Sequence, residues 1–289
     1  MQYRAFGNHG FKVSALGYGA GHIGSPTQDE NDISRLLNTL ADWGITLFDT
    51  APGYDQSEQR LGKALKHRRA DCIYSTKLGY GVEGVPDWTA ACIRQGVDQA
   101  LRRLQTDYLD IAHLHSCPLG TLEYGEVTEA LQEQVKAGKV RVAAYSGENE
   151  ALVHAIQSGA FGSIQCSVNV TDQRSLHTLL PQATAQQMGV IAKRPLANAF
   201  WRFAQRPVGD YSEVYWTRWQ QMALTLEMPL AALALRFSAF APGVHSAIVG
   251  STNLHHLHEN LQQLEKGPLP AEILTKLHQA FSQDWPGEI

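Results

Sequence analysis

The chain has 289 residues, of which 44% are hydrophobic and 18% are charged, and its formal net charge is −4. This composition is typical of a globular protein and excludes a disordered polyelectrolyte. No basic run of the kind that binds nucleic acid stands out. No segment approaches the roughly 20 continuous apolar residues of a membrane span, and the first residues lack the apolar segment of a signal peptide. We therefore expect a cytoplasmic protein with no nucleic-acid and no membrane partner.

The four cysteines, Cys72, Cys92, Cys117 and Cys166, lie far apart in the sequence. None belongs to a Cys-x-x-Cys pair, a spacing that is common among the ligands of structural zinc sites. This usage favours reduced thiols over a disulfide framework, as is typical of proteins of the cytosol.

Short runs rich in Val, Ile and Leu alternate with longer stretches of helical periodicity along most of the chain. Eight runs predict strands, namely Ala15–Gly19, Ile45–Asp49, Ile73–Lys77, Leu109–His115, Val140–Tyr145, Ser163–Val168, Val190–Lys193 and Ala247–Gly250. The clearest helices are predicted over Asp29–Trp43, Glu58–Lys66, Thr89–Leu104, Leu122–Ala137 and Leu254–Leu264. Because parallel strands need such crossovers, the pattern favours an α/β protein with a closed (β/α)8 TIM barrel over an open doubly wound sheet. We expect residues 1–289 to form one domain.

Two predicted elements lie outside this alternation, and one segment is rich in aromatic residues. A β-hairpin is predicted over Tyr3–Val13, with its turn at Asn8-His9-Gly10, and a last helix is predicted near Ala271–Gln283. The aromatic segment is Phe200–Trp219. Its helical spacing predicts that Tyr215 and Trp219 belong to the core, while Trp201 and Phe203 fall in a loop after a strand and are candidates for lining a pocket.

Three ionisable residues, Asp49, Lys77 and His115, are predicted at the carboxyl ends of neighbouring strands, and Tyr54 follows Asp49 in the next loop. In such barrels the active site lies at this end. Neighbouring parallel strands are about 4.8 Å apart, so the side chains can converge on one pocket. A single strand-end Asp or Lys is often only a loop cap or a surface ion pair. Four such residues at neighbouring positions favour a functional site.

Motifs with a common order and spacing run through nearly the whole chain. They are Val13-Ser14-Ala15-Leu16-Gly17, Phe48-Asp49-Thr50-Ala51-Pro52-Gly53-Tyr54, Ser57-Glu58, Leu61-Gly62, Ser75-Thr76-Lys77, Asp107-Tyr108-Leu109-Asp110, Leu114-His115, Gly138-Lys139-Val140-Arg141, Ser146-Gly147, Gln165, Pro195-Leu196, Gly250-Ser251 and Glu259-Asn260. Together they resemble the signature of the aldo-keto reductase family, in particular its bacterial members with a short C-terminal tail. The resemblance implies a (β/α)8 barrel and a reversible, nicotinamide-dependent reduction of aldehydes and ketones without a metal.

The chemistry of carbonyl reduction explains why these side chains belong together. Hydride transfer places negative charge on the carbonyl oxygen, so a proton donor must be aimed at that atom. An ordinary tyrosine, with a pKa of about 10, is a poor acid near neutral pH, and a neighbouring ammonium favours the phenolate. The resemblance implies that Tyr54 is the proton donor, that Lys77 and Asp49 tune it, and that His115 orients the substrate.

The resemblance also implies a set of cofactor-binding residues. Gly250-Ser251-Thr252-Asn253 follows the last strand and opens a helix, which makes it a candidate anion site, and Ser251 is a candidate N-cap. The family places Ser146 and Gln165 at the nicotinamide carboxamide, Asp49 at the ribose, and Glu259 and Asn260 near the adenine. The remaining predicted cofactor residues are Lys193, Arg194, Pro195 and Leu196.

Two positions depart from the pattern of many family members. His256 stands where an arginine often binds the 2′-phosphate of NADPH, and a neutral imidazole is a weaker phosphate partner than a guanidinium. We expect NADPH as the cofactor, with NADH as the alternative. Lys193 replaces an aromatic residue that often stacks on the nicotinamide. Lys193 and Arg194 either approach the pyrophosphate or face a solvated loop.

The predicted substrate pocket contains Tyr54 and His115, and Trp88, Cys117 and Trp201 are further candidates for its lining. Few residues follow the predicted last helix, so we expect no long C-terminal lid and a rather open pocket. Because some shorter relatives oxidise sugars to lactones, a sugar dehydrogenase that runs in the oxidative direction is the alternative to a carbonyl reductase.

Two other functions remain open from the sequence. His113 and His115 point to the same side of a strand, as ligands of a metal-dependent hydrolase would. The first predicted strand carries no ligand, however, and we expect His113 to face the core. His255 and His258, three residues apart on a predicted helix, could share a face and bind a metal, but we favour a solvated helix surface there. The other alternative is a barrel that binds the nucleotide without catalysis, as a sensor or as a subunit of a larger assembly.

Overall fold

Eight parallel strands close into a barrel in the computed structural model, which describes residues 1–282 and 284–287. In chain order these strands are β3 (Leu16–Gly19), β4 (Leu47–Asp49), β5 (Ile73–Leu78), β6 (Leu109–His115), β7 (Val140–Ser146), β8 (Ser163–Ser167), β9 (Gly189–Lys193) and β10 (Ser246–Val249). Each strand pairs with the next, and β10 pairs with β3 to close the barrel. The predicted (β/α)8 fold is thereby confirmed.

Helices surround the barrel and connect its strands. They are α1 (Glu30–Asp42), α2 (Ser57–Leu65), α3 (Ala90–Leu104), α4 (Leu119–Tyr124), α5 (Glu126–Lys136), α6 (Asn149–Gln157), α7 (Arg174–Ala185), α8 (Glu213–Met222), α9 (Leu230–Ala239), α10 (Leu254–Glu265) and α11 (Ala271–Ala280). Their apolar faces pack on the strands, so that the strands are buried on both sides. This explains the nearly continuous apolar runs in the strand sequences.

An antiparallel hairpin precedes the barrel, as predicted, and consists of β1 (Tyr3–Ala5) and β2 (Lys12–Ser14). Phe6 from its loop and Val13 from β2 are fully buried in a cluster with Leu47, Ile73 and Ile111. These partners stand at or near the starts of their strands. The hairpin therefore closes the amino-terminal end of the barrel and leaves the carboxyl ends of the strands for the candidate site.

Two predicted helices differ from those in the structure. The helix predicted over Leu122–Ala137 is two helices, α4 and α5, because Gly125 between them has a φ of 87° and lies in the left-handed region. The last helix ends at Ala280 instead of Gln283, and Gln283 lies outside the described residues. The aromatic segment forms part of a second core cluster, in which Tyr215 and Trp219 are buried as predicted.

Cys72, Cys92, Cys117 and Cys166 are all free and buried. Within residues 1–282 and 284–287, every helix is too short or too polar to cross a membrane.

Candidate active site

The candidate active site lies at the carboxyl ends of β4, β5 and β6, which are neighbours in the barrel. The strand register pairs Asp49 with Ser75 and Lys77 with His113. The ends of the three strands therefore lie side by side. Asp49, Lys77 and His115 all stand at this end, as the sequence predicts.

Asp49 and Lys77 form a buried ion pair, with 2.6 Å between Lys77 Nζ and Asp49 Oδ2. The ammonium also donates to the backbone carbonyl of Thr50 at 2.8 Å. Burial by itself disfavours the ammonium, but the negative charge of Asp49 outweighs burial and raises the pKa of Lys77. Lys77 therefore stays charged although its side chain is only 2% exposed.

Tyr54 is half-buried in the loop after β4, and its ring centroid lies 5.3 Å from Lys77 Nζ. A tight turn fixes its backbone, because Tyr54 N donates to the carbonyl of Ala51 and its own carbonyl accepts from Ser57 N. The Tyr54 carbonyl also packs closely on Gly24, where an added Cβ would lie 1.9 Å from the oxygen. Among the described residues, no hydrogen bond joins the Tyr54 hydroxyl to Lys77. The ring lies beside the ammonium and faces the same end of the barrel.

Ser75 and His113, which are not among the predicted site residues, continue the hydrogen-bond network from Asp49 into the barrel. Ser75 Oγ donates to Asp49 Oδ1 at 2.7 Å and lies 3.0 Å from His113 Nε2. Burial lowers the pKa of His113 to about 4, so its imidazole is neutral at neutral pH. Alternation along β5 was the available signal, because Ser75 and Lys77 point to the same side of that strand. His113 faces the interior, as expected, and contributes to the network that holds Asp49.

His115 is half-buried at the end of β6, and its Nδ1 is hydrogen-bonded to the hydroxyl of Tyr80. Burial, followed by the charges of Lys77 and Lys193, lowers the pKa of His115 to about 2, so the ring is neutral. Tyr80 is absent from the residues predicted from the sequence. Its place in the loop after β5, three residues beyond Lys77, is the signal that points to it.

The three further residues predicted to line the substrate pocket, Trp88, Cys117 and Trp201, lie in different surroundings. Trp88 packs on Gly79 and presents its ring at 65° to that of Tyr80, with 6.3 Å between centroids, so it lies beside the tyrosine that contacts His115. Cys117 is placed in the core instead, at 1% exposure, because the segment after β6 turns its thiol inward. Trp201 is half-buried against the second core cluster, with its ring 5.2 Å from that of Phe200.

Ser146 and Gln165 lie side by side at the ends of β7 and β8, as the register of these strands requires. Ser146 Oγ donates to Gln165 Oε1 at 2.8 Å, which fixes the orientation of the amide. Gln165 Nε2 is buried and has no hydrogen-bond partner among the described residues. A buried amide donor without a partner is costly unless a ligand satisfies it, so the pair fits a carboxamide group.

The loop after β10 leads into α10 and carries the predicted phosphate-binding residues. An added Cβ at Gly250 would lie 2.8 Å from the Gly19 carbonyl, so this close approach requires glycine. The N-cap is Asn253, whose side chain accepts from His255 N at 2.9 Å, and the prediction that Ser251 is the cap was wrong. Ser251 Oγ accepts instead from Asn253 N at 3.0 Å and stabilises the turn before the helix.

The other predicted cofactor residues of this region differ in their exposure. Thr252, His256 and Glu259 are exposed, whereas Asn260 is buried at 7% exposure. Glu259 Oε1 lies 3.4 Å from His255 Nε2 across one helical turn. The exposed face of the first turn of α10 therefore carries two adjacent imidazoles.

Lys193 and Arg194 occupy the end of β9 and are held by protein groups. Lys193 Nζ lies 3.3 Å from the buried Glu148, and burial outweighs this charge and lowers the pKa of Lys193. Arg194 donates to the hydroxyl of Tyr215 at 3.3 Å. Pro195 and Leu196 follow in the same loop, buried and half-buried respectively.

The histidines considered as metal ligands have other partners. His255 faces Glu259, and the ring of His258 packs 5.2 Å from that of Trp43. In the part of the chain that the structure describes, no group of three or more His, Cys, Asp or Glu side chains is arranged to hold a metal ion.

The fold and the site define a (β/α)8 barrel protein with an Asp, a Lys, a Tyr and a His clustered at the carboxyl ends of its strands. Residues 15–281 match the family model described as the Aldo/keto reductase family. The chain belongs to that family and is an oxidoreductase. The resemblance seen in the sequence motifs is confirmed.

Individual relatives match over nearly their whole length. The chain is 30% identical to the L-galactose dehydrogenase of Arabidopsis thaliana, covering 100% of this chain and 98% of that protein. It is 26% identical to the uncharacterized oxidoreductase YqkF of Bacillus subtilis, covering 98% of both. The solved structure of aldo-keto reductase AKR11C1 from Bacillus halodurans, in its holo form, matches with a TM-score of 0.84 and 28% identity, covering 98% of this chain and 97% of that one.

Proposed function

We propose that this protein is an NAD(P)H-dependent oxidoreductase that reduces aldehydes or ketones to alcohols by hydride transfer. The observation that carries the proposal is the buried ion pair of Lys77 and Asp49 beside the ring of Tyr54. A buried positive charge next to a phenol stabilises the phenolate. This is the property that a proton donor to a developing alkoxide needs.

Each side chain of the cluster has a separate role in this reaction. Negative charge develops on the substrate oxygen, and Tyr54 donates its proton to that atom. Lys77 stabilises the phenolate that remains, and Asp49 keeps Lys77 charged and in place. The neutral imidazole of His115 donates a hydrogen bond to the same oxygen and orients the carbonyl. Trp88 and Trp201 are proposed to contribute apolar surface to the substrate pocket.

A reduced nicotinamide, when bound, supplies the hydride. Ser146 and Gln165 would hold its carboxamide, which is supported by the unpartnered amide of Gln165 within the described residues, and Asp49 would contact its ribose. The amides of Gly250 to Asn253 at the start of α10 would hold phosphate groups, because a helix N-terminus attracts anions. The loop after β9 would lie along the pyrophosphate. We propose NADPH as the preferred cofactor and NADH as the alternative.

The second candidate is a sugar dehydrogenase that uses the same residues in the oxidative direction. It is favoured by the full-length similarity to a protein named L-galactose dehydrogenase. Tyr54 would then accept the hydroxyl proton of the alcohol as a phenolate, and Lys77 would stabilise that form before the reaction. The geometry of the site serves both directions, since proton transfer follows the same path in reverse.

We propose a small carbonyl compound or alcohol as the substrate, no nucleic-acid or membrane partner, and a cytoplasmic location. The four free and buried cysteines support a reducing compartment. No strongly basic surface run favours a nucleic-acid partner, since Lys and Arg number 24 against 28 Asp and Glu.

The test is a panel of aldehydes, ketones, sugars and polyols, assayed in both directions with both nicotinamides by the absorbance of the reduced cofactor. Tyr54→Phe is expected to lower kcat by about 10²- to 10⁴-fold, as expected for the loss of a general acid. Cofactor binding, followed by fluorescence titration, is expected to change little. Tyr124→Phe, which alters a phenol that is 80% exposed, is the matched control and should retain full turnover.

Each other outcome points to a different function. Undiminished turnover in Tyr54→Phe would remove this residue from the mechanism. Cofactor binding without any turnover of the panel would favour a nucleotide-binding subunit. Stoichiometric zinc in the purified protein, measured by plasma mass spectrometry, would favour a metal-dependent hydrolase.

A further inference from the structure

The loop after β5 places a second phenol at the site, and its contacts are separate from those of Tyr54. Tyr80 is half-buried, and its hydroxyl is hydrogen-bonded to Nδ1 of His115. The centroids of the two rings are 5.5 Å apart with an angle of 31° between their planes. Among the described residues, Nε2 of His115 has no hydrogen-bond partner. The protein therefore engages one nitrogen of this ring and leaves the other for a ligand.

Two neighbouring residues lie near the ring of Tyr80. Trp88 presents its ring at 65° to the ring of Tyr80, and Trp88 N donates to the Gly79 carbonyl at 2.7 Å. Gly53 also lies near the Tyr80 ring, where an added Cβ would make an ordinary van der Waals contact at 3.5 Å. The ring contact with Trp88 and the hydrogen bond to His115 together position Tyr80 beside the imidazole.

The direction of the hydrogen bond follows from the protonation states of the two groups. Burial is the main cause that lowers the pKa of His115 to about 2, and burial also raises the pKa of Tyr80. At neutral pH the pair is therefore a phenol and a neutral imidazole. A neutral imidazole has one nitrogen that donates and one that accepts. The unprotonated nitrogen of imidazole is a much better acceptor than a phenolic oxygen, so the phenol donates to Nδ1.

We propose that Tyr80 is a positioning residue that fixes His115 in the tautomer with its proton on Nε2. With Nδ1 occupied as an acceptor, the proton must reside on Nε2, which is the nitrogen without a protein partner. His115 is then always a donor toward the substrate oxygen and never an acceptor that would repel it. This inference rests on the proposed function, in which His115 orients a carbonyl.

The first test reads the tautomer directly and does not depend on activity. In protein labelled with ¹⁵N at histidine, long-range proton–nitrogen spectra at neutral pH distinguish Nδ1–H from Nε2–H. His115, assigned by comparison with His115→Asn, is expected to be almost entirely the Nε2–H form in the wild-type protein. Tyr80→Phe should give a mixture of both tautomers, and Tyr124→Phe should not change the spectrum. A wild-type ring protonated on Nδ1 would overturn the proposal without any variant.

The second test uses kinetics with whichever substrate of the panel is turned over. Tyr80→Phe is expected to lower kcat by about five- to ten-fold, the value of one neutral hydrogen bond that orients a catalytic group. The KM for the cofactor should not change, because the hydrogen bond and ring contacts of Tyr80 join it to His115 and Trp88 and not to the proposed cofactor-binding residues. Unchanged kcat together with an unchanged Nε2–H signal would overturn the role of Tyr80. If the wild-type protein turns over no substrate, the proposed function fails, and the spectra still decide the role of Tyr80.

Discussion

Lys77 and Asp49 stand at the ends of adjacent strands and are joined at 2.6 Å, with side chains only 2% and 3% exposed. A buried ion pair of this kind contributes little net stability, because removing two charges from water costs about as much as their attraction returns. Its value lies in holding a positive charge beside the ring of Tyr54. Removing one partner is therefore expected to cost much more stability than the intact pair contributes, because the remaining charge is left buried and unpaired.

Asp49→Asn is expected to destabilise the protein by about 3–5 kcal/mol, because it leaves the Lys77 ammonium buried without a counter-charge. Loss of the carboxylate also removes the main influence that raises the pKa of Lys77. Denaturant unfolding measures the change. Asp42→Asn is the control, since Asp42 pairs with Arg68 at the surface and is 67% exposed, and it should cost about 0–1 kcal/mol. A cost below about 1 kcal/mol for Asp49→Asn would contradict the role of the pair.

Gly24→Ala should disturb the position of Tyr54 from outside the site. The added Cβ would lie 1.9 Å from the Tyr54 carbonyl oxygen, which is backbone and cannot rotate away. We expect a loss of stability of about 1–3 kcal/mol from this overpacking, together with a clear drop in kcat as the phenol moves. Gly120→Ala is the matched control, because an added Cβ there meets nothing within 4 Å. Normal stability and kcat in Gly24→Ala would show that the close contact is unimportant.

His113 makes a specific contribution to the pH dependence of stability. Burial is the main cause that lowers its pKa to about 4, while the ordinary value, expected in the unfolded chain, is 6.5. As the pH falls through this window the unfolded chain binds a proton that the folded protein does not. The stability present above pH 6.5 is therefore lost toward pH 4, by at most about 1.4 kcal/mol per pH unit.

The variant His113→Asn is expected to show a shallower loss of stability over this window, because it has no proton to bind in either state. Urea unfolding at several pH values between neutral and about pH 5 measures the slope. His67→Asn removes a histidine at an exposed position and is the matched control. Identical slopes for wild type and His113→Asn would rule out the buried neutral imidazole.

His256→Arg tests the choice of cofactor. His256 is exposed in the first turn of α10, beside the loop that is proposed to hold phosphate groups. A guanidinium there should bind the 2′-phosphate with two charge-assisted hydrogen bonds, so the Kd for NADPH is expected to fall by about ten-fold, with NADH unchanged. Calorimetry at one salt concentration measures both. His67→Arg adds the same charge at the opposite end of the barrel and should change neither Kd. If the Kd for NADH fell by the same factor as the Kd for NADPH, residue 256 would not lie beside the 2′-phosphate.

The barrel was predictable because strand and helix periodicity is a local property of the sequence. Each buried strand is a short apolar run and each helix has one apolar face, so the eight units can be counted without knowing their contacts. The break at Gly125, which separates α4 from α5, was not predicted from periodicity. A single glycine within a helical pattern is compatible both with a continuous helix and with a helix end. The N-cap of α10 was predicted at Ser251, but it is Asn253. Both residue types are good caps, and only the path of the backbone selects one of them.

The sequence by itself determined the fold, the family and the strand-end positions of Asp49, Lys77 and His115, because strand alternation and motif order do not depend on distance. Only the tertiary structure decided which side chains meet. Tyr80 reaches His115 from another loop, Ser75 links Asp49 to His113, and Cys117 turns into the core. These contacts depend on strand register and loop conformation, in which a shift of one residue reverses the direction of a side chain.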